Sequence, residues 1–575
     1  MEFNLNLTIE ELKKRTNKDC LIKRTMLDEK AQEYISLNEG DKEALKHLVR
    51  ASNYANTIYM KQDNEYNLPF KEFLEKEIKK GNEQAELTKI LFDAQLGIIG
   101  IDSESNKVIL AKNIEEKDGK AFYPSDLSKK EFHSILKKMI KDGETKEVAE
   151  ILNQRTIVKR KDNKLYAVDY TEEFKIEFNK IADELEEAAK TSTDKDFNEY
   201  LLLQAAALRE KDEMLDAKAD KKWASLQDTV LEFTISREQY ADLLTGSVME
   251  DSELKKLLED NNIIPVSKDS IGIRTGIVNK KGTEDILKIK KYLPIMAENM
   301  PYKEKYEQNI SKEEDNLQTM VDVDIVSLRG DEGAYRGGIT IAQNLPNNDK
   351  PSLKIGGGRR NVYHRQIRTS NTPEALERRK KRLNATLNPD LHKYYNPEAD
   401  HWFTIGHENV HSLGPKSGTE ALGKYKNIIE ENKADMGAIA LLDCLVNNRV
   451  YTEEEKNQIL VTFAANCFLK AKPELSQAHR VRTVMQAYYF IKEGAICVNK
   501  SGIIDVNLDK MIPSAYKMLS EIVNIQLLQN FSEGEKFIKN NFIWTEEINL
   551  VSEKLRETDK SLNGVIITPL ADLLS

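Results

Sequence analysis

Hydrophobic positions along this chain recur at two periods, and the places where one gives way to the other divide it. Residues 8–100 are rich in Leu, Glu, Lys and Ala at helical spacing, and Thr8 with Glu11 forms the capping-box signature that opens such a run. From about 97 to 170 the pattern shortens to strand-like stretches, Leu96-Gly97-Ile98-Ile99-Gly100-Ile101 and Lys107-Val108-Ile109-Leu110, interleaved with helical pieces such as 130–141. Helical period returns over 171–222. Strands and turns then occupy 225–365, notably Val230-Leu231-Glu232-Phe233-Thr234-Ile235 and Gly337-Gly338-Ile339-Thr340-Ile341-Ala342. Beyond 372 the chain reads as mostly helical to about 540, and Gly564-Val565-Ile566-Ile567-Thr568 closes it with a strand-like segment. Neither an internal repeat nor a low-complexity linker is present, so the structural units are expected to interweave.

Composition narrows the class. A length of 575 residues with 40% hydrophobic positions is enough for two to four domains, or two large lobes, with substantial cores. Cys20, Cys444, Cys467 and Cys497 are scattered without a CxxC pair, which predicts free thiols in a reducing, cytoplasmic setting. The N-terminus lacks a basic region followed by an apolar one, and no apolar run approaches membrane-spanning length, so no membrane partner is expected. A net charge of −10 argues against a nucleic-acid partner. The basic cluster Arg378-Arg379-Lys380-Lys381-Arg382 is expected on a solvated helix face after Thr372-Pro373. Gly356-Gly357-Gly358, followed by Arg359-Arg360 and not by Lys-Ser, is expected as a tight turn and not a phosphate loop.

The chemistry is concentrated in His407-Glu408-Asn409-Val410-His411, a HExxH pentapeptide. Histidines four apart share one helix face, with Cβ atoms roughly 5–6 Å apart, so both imidazoles can reach one tetrahedral Zn²⁺. Glu408 then lies beside the metal, where it can take a proton from water and later deliver it to a leaving amine. Local signals support a helix over about 397–413: Asn396 as N-cap, Pro397 at the first position, and Gly414-Pro415 at the end. A second helix is expected from near Thr419 to about Leu445. It carries Glu431, twenty residues after His411, as a third ligand, and Asp435 one turn on to hydrogen-bond a ligand histidine from outside.

Beyond the metal motif the residues resemble the dipeptidyl-peptidase III family of zinc metallopeptidases. Glu430-Glu431-Asn432-Lys433-Ala434-Asp435 resembles the family's EECRAE-type signature, whose second Glu is the ligand. Phe122-Tyr123-Pro124-Ser125-Asp126-Leu127 is similar to its FYPxD segment, Arg237-Glu238-Gln239-Tyr240-Ala241-Asp242 to its ExYxD segment, and Ala342-Gln343-Asn344-Leu345-Pro346-Asn347 to its NxPN strand. Gln477-Ala478-His479 resembles the segment whose histidine faces the reacting carbonyl. These matches run in order from about 120 to 480.

The resemblance implies an α+β fold of two lobes around a wide cleft, a mainly helical lobe holding one zinc and a mixed lobe with a small β-barrel. The lobes would interleave along the chain: 1–258 in the mixed lobe, 259–327 in the helical lobe, 328–372 as the mixed lobe's substrate-binding strand segment, 373–540 as the catalytic zinc lobe, and 541–575 returning to the mixed lobe. It also implies removal of dipeptides from the N-terminus of short peptides by a monomer or homodimer. Carried over position by position, Tyr240 and His479 would stabilise the oxyanion, Glu238 would meet the substrate ammonium, and Asn344 and Asn347 would pair with its backbone. Glu430 and Asp435 would support the zinc ligands His407, His411 and Glu431. The chain departs from the family in three places: the metal motif is a pentapeptide and not HExxGH, Ser236-Arg237 stands where Gly-Pro is expected, and Arg480-Val481-Arg482 leaves the cleft arginines unassigned. A zinc endopeptidase or amidase with the same metal site, or a peptide-binding protein without catalysis, remains open at this point.

Overall fold

In the computed structural model residues 2–162, 164–239, 241–307, 319–333, 342–345, 354–365, 372–415 and 419–575 are described. Tyr240, Asn347 and the expected strand residues 337–341 lie outside them. A curled half-barrel sheet of five strands is built from β1 (Leu231–Glu238), β2 (Ser270–Val278), β3 (Thr319–Gly330), β4 (Ala342–Leu345) and β5 (Arg360–Arg365), in the order β1-β2-β3-β5-β4. Only β3 and β5 run parallel; the other neighbours are antiparallel. The barrel expected from the resemblance is thus a half-barrel among the described residues.

Helix α1 (Glu39–Asp63) covers this sheet, starting at Asn38, whose side chain accepts from the Asp41 backbone N–H. Its Ala44, Leu45, Leu48, Val49, Ala51, Ala55 and Ile58 recur at helical spacing and share one core with Phe233, Ile273, Val326 and Leu328 of the sheet. A second large core is helical. It gathers Ile405 and Val410 of α2 (Pro397–His411), Ile429, Met436 and Ile439 of α3 (Lys426–Ala440), and Val481 and Met485 of α4 (Ala478–Lys492). Met320, Ala342 and Tyr363 of the sheet also belong to it, so β3, β4 and β5 stand between the two cores. A smaller cluster around Phe3, Phe70 and Phe92 packs the N-terminal helices.

The ends of the chain meet. Leu21–Thr25 pairs in parallel with Asn563–Ile567, and Leu570, Ala571 and Leu574 enter the sheet's core. The basic cluster lies on the helix Pro373–Thr386, capped by Thr372 as the sequence predicts, and Gly356 sits in a turn at φ +77°. No helix among the described residues is long and apolar enough to cross a membrane, and all four cysteines are free.

One expected helix is broken. The stretch from Thr419 is a 3₁₀ turn to Tyr425, and α3 begins only at Lys426 and ends at Ala440. Gly423 causes the break: at φ +54° it presses its backbone against Gly246, whose carbonyl oxygen lies 2.8 Å from where a Cβ would stand. A continuous helix could not make that contact.

Helices α2 and α3 approach each other unusually closely. A Cβ on Gly437 would come within 2.4 Å of Val410 Cγ1, and one on Gly406 within 3.2 Å of the Ala438 methyl. Val410 is β-branched and cannot swing aside within a helix. Gly437→Ala should therefore destabilise the chain by about 1 kcal/mol or more despite the better helix propensity of alanine. Adding Val410→Ala should return part of that loss in a double-mutant cycle read by chemical denaturation. A Gly437→Ala chain more stable than the parent would show that the helices are not in contact there.

Candidate metal centre and cleft

The pentapeptide occupies the last turns of α2. Asn396 accepts from the Glu398 backbone N–H at 2.9 Å and Pro397 takes the first helical position, so the local signals place the helix start as expected. The pairs Gly406–Ala438, His407–Asp435 and His411–Glu430 show α3 running antiparallel to α2. That geometry returns Glu431 to the histidines.

Three donor atoms converge. His407 Nε2 and His411 Nε2 are 3.1 Å apart, and Glu431 carboxylate oxygens lie 3.6 Å from the first and 3.9 Å from the second. A tetrahedral ion with bonds of about 2.0–2.1 Å has donors about 3.3–3.4 Å apart, so the spacing fits one ion. The outer ring nitrogens are already committed. His407 Nδ1 faces Asp435 Oδ1 at 2.6 Å and His411 Nδ1 faces Glu430 Oε1 at 2.9 Å, each donating to a carboxylate. Both Nε2 atoms then present bare lone pairs to each other and to a carboxylate, an arrangement that calls for a cation. Among the described residues this is the single group of three or more potential ligands close enough to share a metal.

The outer carboxylates are anchored in turn. Lys433, buried, pairs with Glu430 at 2.8 Å and donates to the Leu413 carbonyl at 2.7 Å, while Gln526 donates to the other Glu430 oxygen at 2.8 Å. Arg482 Nη1 hydrogen-bonds Glu431, and its Nε lies 3.0 Å from Asp435, which also accepts from Gln486 at 2.9 Å. Burial by itself would raise Glu430, but Lys433 and His411 hold its carboxyl far below the usual range. Burial opposes ionisation of Glu431 likewise, and His479, Arg482 and His411 overcome it. For Asp435 the same contest is won by Arg482 and His407. Glu408 goes the other way: burial lifts it to about 7, reinforced by Glu431 and resisted by His411, Arg482 and Arg359. Its carboxylate lies 3.9 Å from His407 Nε2, inside reach of a water at the metal position.

These residues line one open cleft whose opposite wall carries Glu238, Gln343 and Asn344 of the sheet. Glu238 Oε1 accepts from Gln343 Nε2 at 2.8 Å, and the same amide donates to Glu332 at 2.6 Å. His479 is half exposed in the cavity, its Nδ1 3.1 Å from Glu431 Oε2. Asn344 is buried: its Nδ2 donates to Asn361 and, at 3.1 Å, to Ser412 Oγ. Its Oδ1 has no partner among the described residues. Tyr240 and Asn347 are outside the described residues, so the structure brings together nine of the eleven positions the sequence singles out.

Sequence reasoning missed the residues that join the cleft's two walls. Asn361 Nδ2 donates to Tyr363 OH at 3.0 Å and to Asn409 Oδ1 at 3.4 Å, and Asn409 donates to the Ile405 carbonyl at 2.8 Å. An amide ladder thus runs from β4 through β5 into the middle of the metal motif. The role of Arg482 was legible in principle, since it stands three residues after His479 on the same helix and faces the same side. Arg480 takes a different course, donating to the Ser103 carbonyl at 2.8 Å.

No family model matches the chain, and no curated protein matches it by sequence. Solved structures do. The DPP III structure from Caldithrix abyssi is 21% identical, with 98% of this chain and 100% of that one covered at a TM-score of 0.75. Dipeptidyl-peptidase III from Corallococcus sp. strain EGB is 20% identical, with 99% of each chain covered at a TM-score of 0.80. Sequence identity this low carries a likeness of fold, and over almost every residue this chain has the fold of dipeptidyl-peptidase III.

Proposed function

We propose that this protein is a zinc-dependent dipeptidyl peptidase that acts on short peptides in the cytoplasm. The convergence of His407, His411 and Glu431, with Glu408 beside them, in a cleft of the dipeptidyl-peptidase III fold carries this reading. Nitrogen and carboxylate donors without thiolate suit Zn²⁺, and three protein ligands leave a position for water or substrate. When bound, the ion polarises the scissile carbonyl and acidifies a water molecule. Glu408 accepts the proton of the attacking water and passes it to the departing amine. Asp435 and Glu430 keep each imidazole in the tautomer that offers Nε2. His479 and Tyr240 stabilise the developing oxyanion, Asn344 and Asn347 align the peptide backbone, and Glu238 receives the free ammonium.

Metal content tests the ligand set directly. The purified chain should hold close to one Zn²⁺, while His407→Ala and Glu431→Ala should each lose it by elemental analysis. Full occupancy in both variants would sink the assignment. The base is tested separately: Glu408→Gln keeps shape and metal but cannot take the proton, so turnover should fall by about 10²–10⁴ at unchanged zinc content.

How the cleft measures its substrate decides between exopeptidase and endopeptidase. An ammonium held by a carboxylate contributes about 1.5–3 kcal/mol, so N-acetylation of a peptide should lower kcat/KM by roughly tenfold to a hundredfold, and Glu238→Gln should shrink that difference. Mass spectrometry should find dipeptides released from the amino end. Equal cleavage of acetylated and free peptides, with internal fragments as products, would make the protein a zinc endopeptidase instead.

A further inference from the structure

Glu238 stands at the end of β1, on the wall of the cleft opposite the metal motif. Behind it lies a buried polar chain drawn from the rest of the sheet and from the turn after β3.

Glycine makes room for this chain. The register sets Gly272 of β2 against Ser236 and Arg274 against Thr234, so Gly272 and Arg274 share one face. At the end of β3 the backbone turns at Gly330, with φ +58°, and brings Glu332 over Gly272, where a Cβ would stand 2.6 Å from the Glu332 nitrogen and 2.8 Å from its Cγ. Glu332 is thereby fully buried. Arg274, also fully buried, crosses the inside of the curl. β2 and β4 are three strand spacings apart in the sheet, about 14 Å were it flat. Arg274 Nη1 nevertheless hydrogen-bonds Gln343 Oε1 of β4 and lies 2.6 Å from His364 Nε2 of β5.

These contacts leave the Gln343 amide one orientation. A guanidinium only donates and an ionised carboxylate only accepts, so the amide oxygen faces Arg274 while the nitrogen faces Glu238 and Glu332, at 2.8 and 2.6 Å. Turned over, the amide would set donor against donor on one side and acceptor against acceptor on the other. The amide is also neutral. A lysine or arginine in its place would cancel the Glu238 charge that attracts an ammonium, whereas an amide steers the carboxylate and leaves that charge intact. A substrate would otherwise have to order the three side-chain torsions of Glu238 itself, at a cost in affinity. We propose that Gln343 is a positioning residue and thereby a determinant of specificity: locked by Arg274, it aims Glu238 at the amino-terminal ammonium of a peptide and so fixes how many residues lie between that end and the metal position, an inference that rests on Glu238 receiving that ammonium.

Two substitutions separate this role from a structural one. Gln343→Met keeps the length of the side chain and removes the amide; Gln343→Asn keeps the amide but withdraws it by one methylene, so that it no longer spans Arg274 and both carboxylates. The zinc-loaded full-length variants are compared with the parent on one peptide with a free and with an acetylated N-terminus. In both variants the kcat/KM ratio of free over acetylated peptide should fall by roughly threefold to tenfold, mainly through a higher KM for the free peptide, at unchanged zinc content. In a Glu238→Gln background neither substitution should lower the ratio further, because the carboxylate through which Gln343 acts is gone. A structural role alone predicts an equal loss on both peptides. The proposal is overturned if both variants keep the ratio of the parent, or if the falls caused by Glu238→Gln and Gln343→Met add. A parent without preference for the free peptide would remove the ammonium role of Glu238 and the proposal with it. Titration of the zinc-loaded Glu408→Gln chain with the same two peptides separates this outcome from the peptidase reading. If the parent cuts neither peptide, but the Glu408→Gln chain binds the free one more tightly and loses that preference with Gln343→Met, the positioning role stands without the peptidase; a binding preference that survives Gln343→Met overturns it.

Discussion

The site depends on how closely two helices approach. Gly406 against Ala438 and Gly437 against Val410 remove the side-chain layer that normally separates packed helices. Only at that distance can short Asp435 reach His407 while Glu431 still points between both imidazoles. A glycine within a helix costs about 1 kcal/mol relative to alanine, and here it appears twice within one contact. That cost is offset by burial on every other side, with Ile405, Val410, Ile429, Met436 and Ile439 all in one core.

Close packing alone would fix the metal helix to its neighbour but not to the sheet. The connection to the opposite wall is polar, and buried polar groups hold register more strictly than apolar contact does, because a slip leaves donors without partners. Asn344, Asn361, Tyr363 and Asn409 form such a chain, anchored on the Ile405 carbonyl in α2 itself. The strand that carries Asn344 is therefore indexed to the residues that carry His407 and His411. A cleft whose two walls come from different cores keeps a defined width by this means.

What the sequence made legible was local. Asn396-Pro397 fixed the start of α2, spacing of four fixed the histidines on one face, and the strand at 564–568 was readable from its alternation with the turn before it. What stayed hidden depends on contacts between distant segments. Gly423 looks like any helical glycine until Gly246, far away in sequence, is brought against it. Asn361 and Asn409 are ordinary polar residues in any window, and only pairing of β5 with β4 and packing of α2 beneath them turns them into a ladder. The half-barrel likewise depends on strand order, which jumps from β3 to β5 and back to β4 and has no short-range signature.

Charge balance explains why the centre tolerates so many acids. Glu408, Glu431 and Asp435 are buried carboxylates with half-buried Glu430 beside them, and an unpaired buried charge costs several kcal/mol. Lys433 answers Glu430, and Arg482 is shared by Glu431 and Asp435. Negative charge is left over beside the histidines, which favours a cation where they meet Glu431. Among the described residues Glu408 is the one of the four with no lysine or arginine in direct ion pairing, so its charge is the least firmly held. Burial has thus left the freedom to gain and lose a proton at the single carboxylate that stands beside the metal position without being needed to hold it.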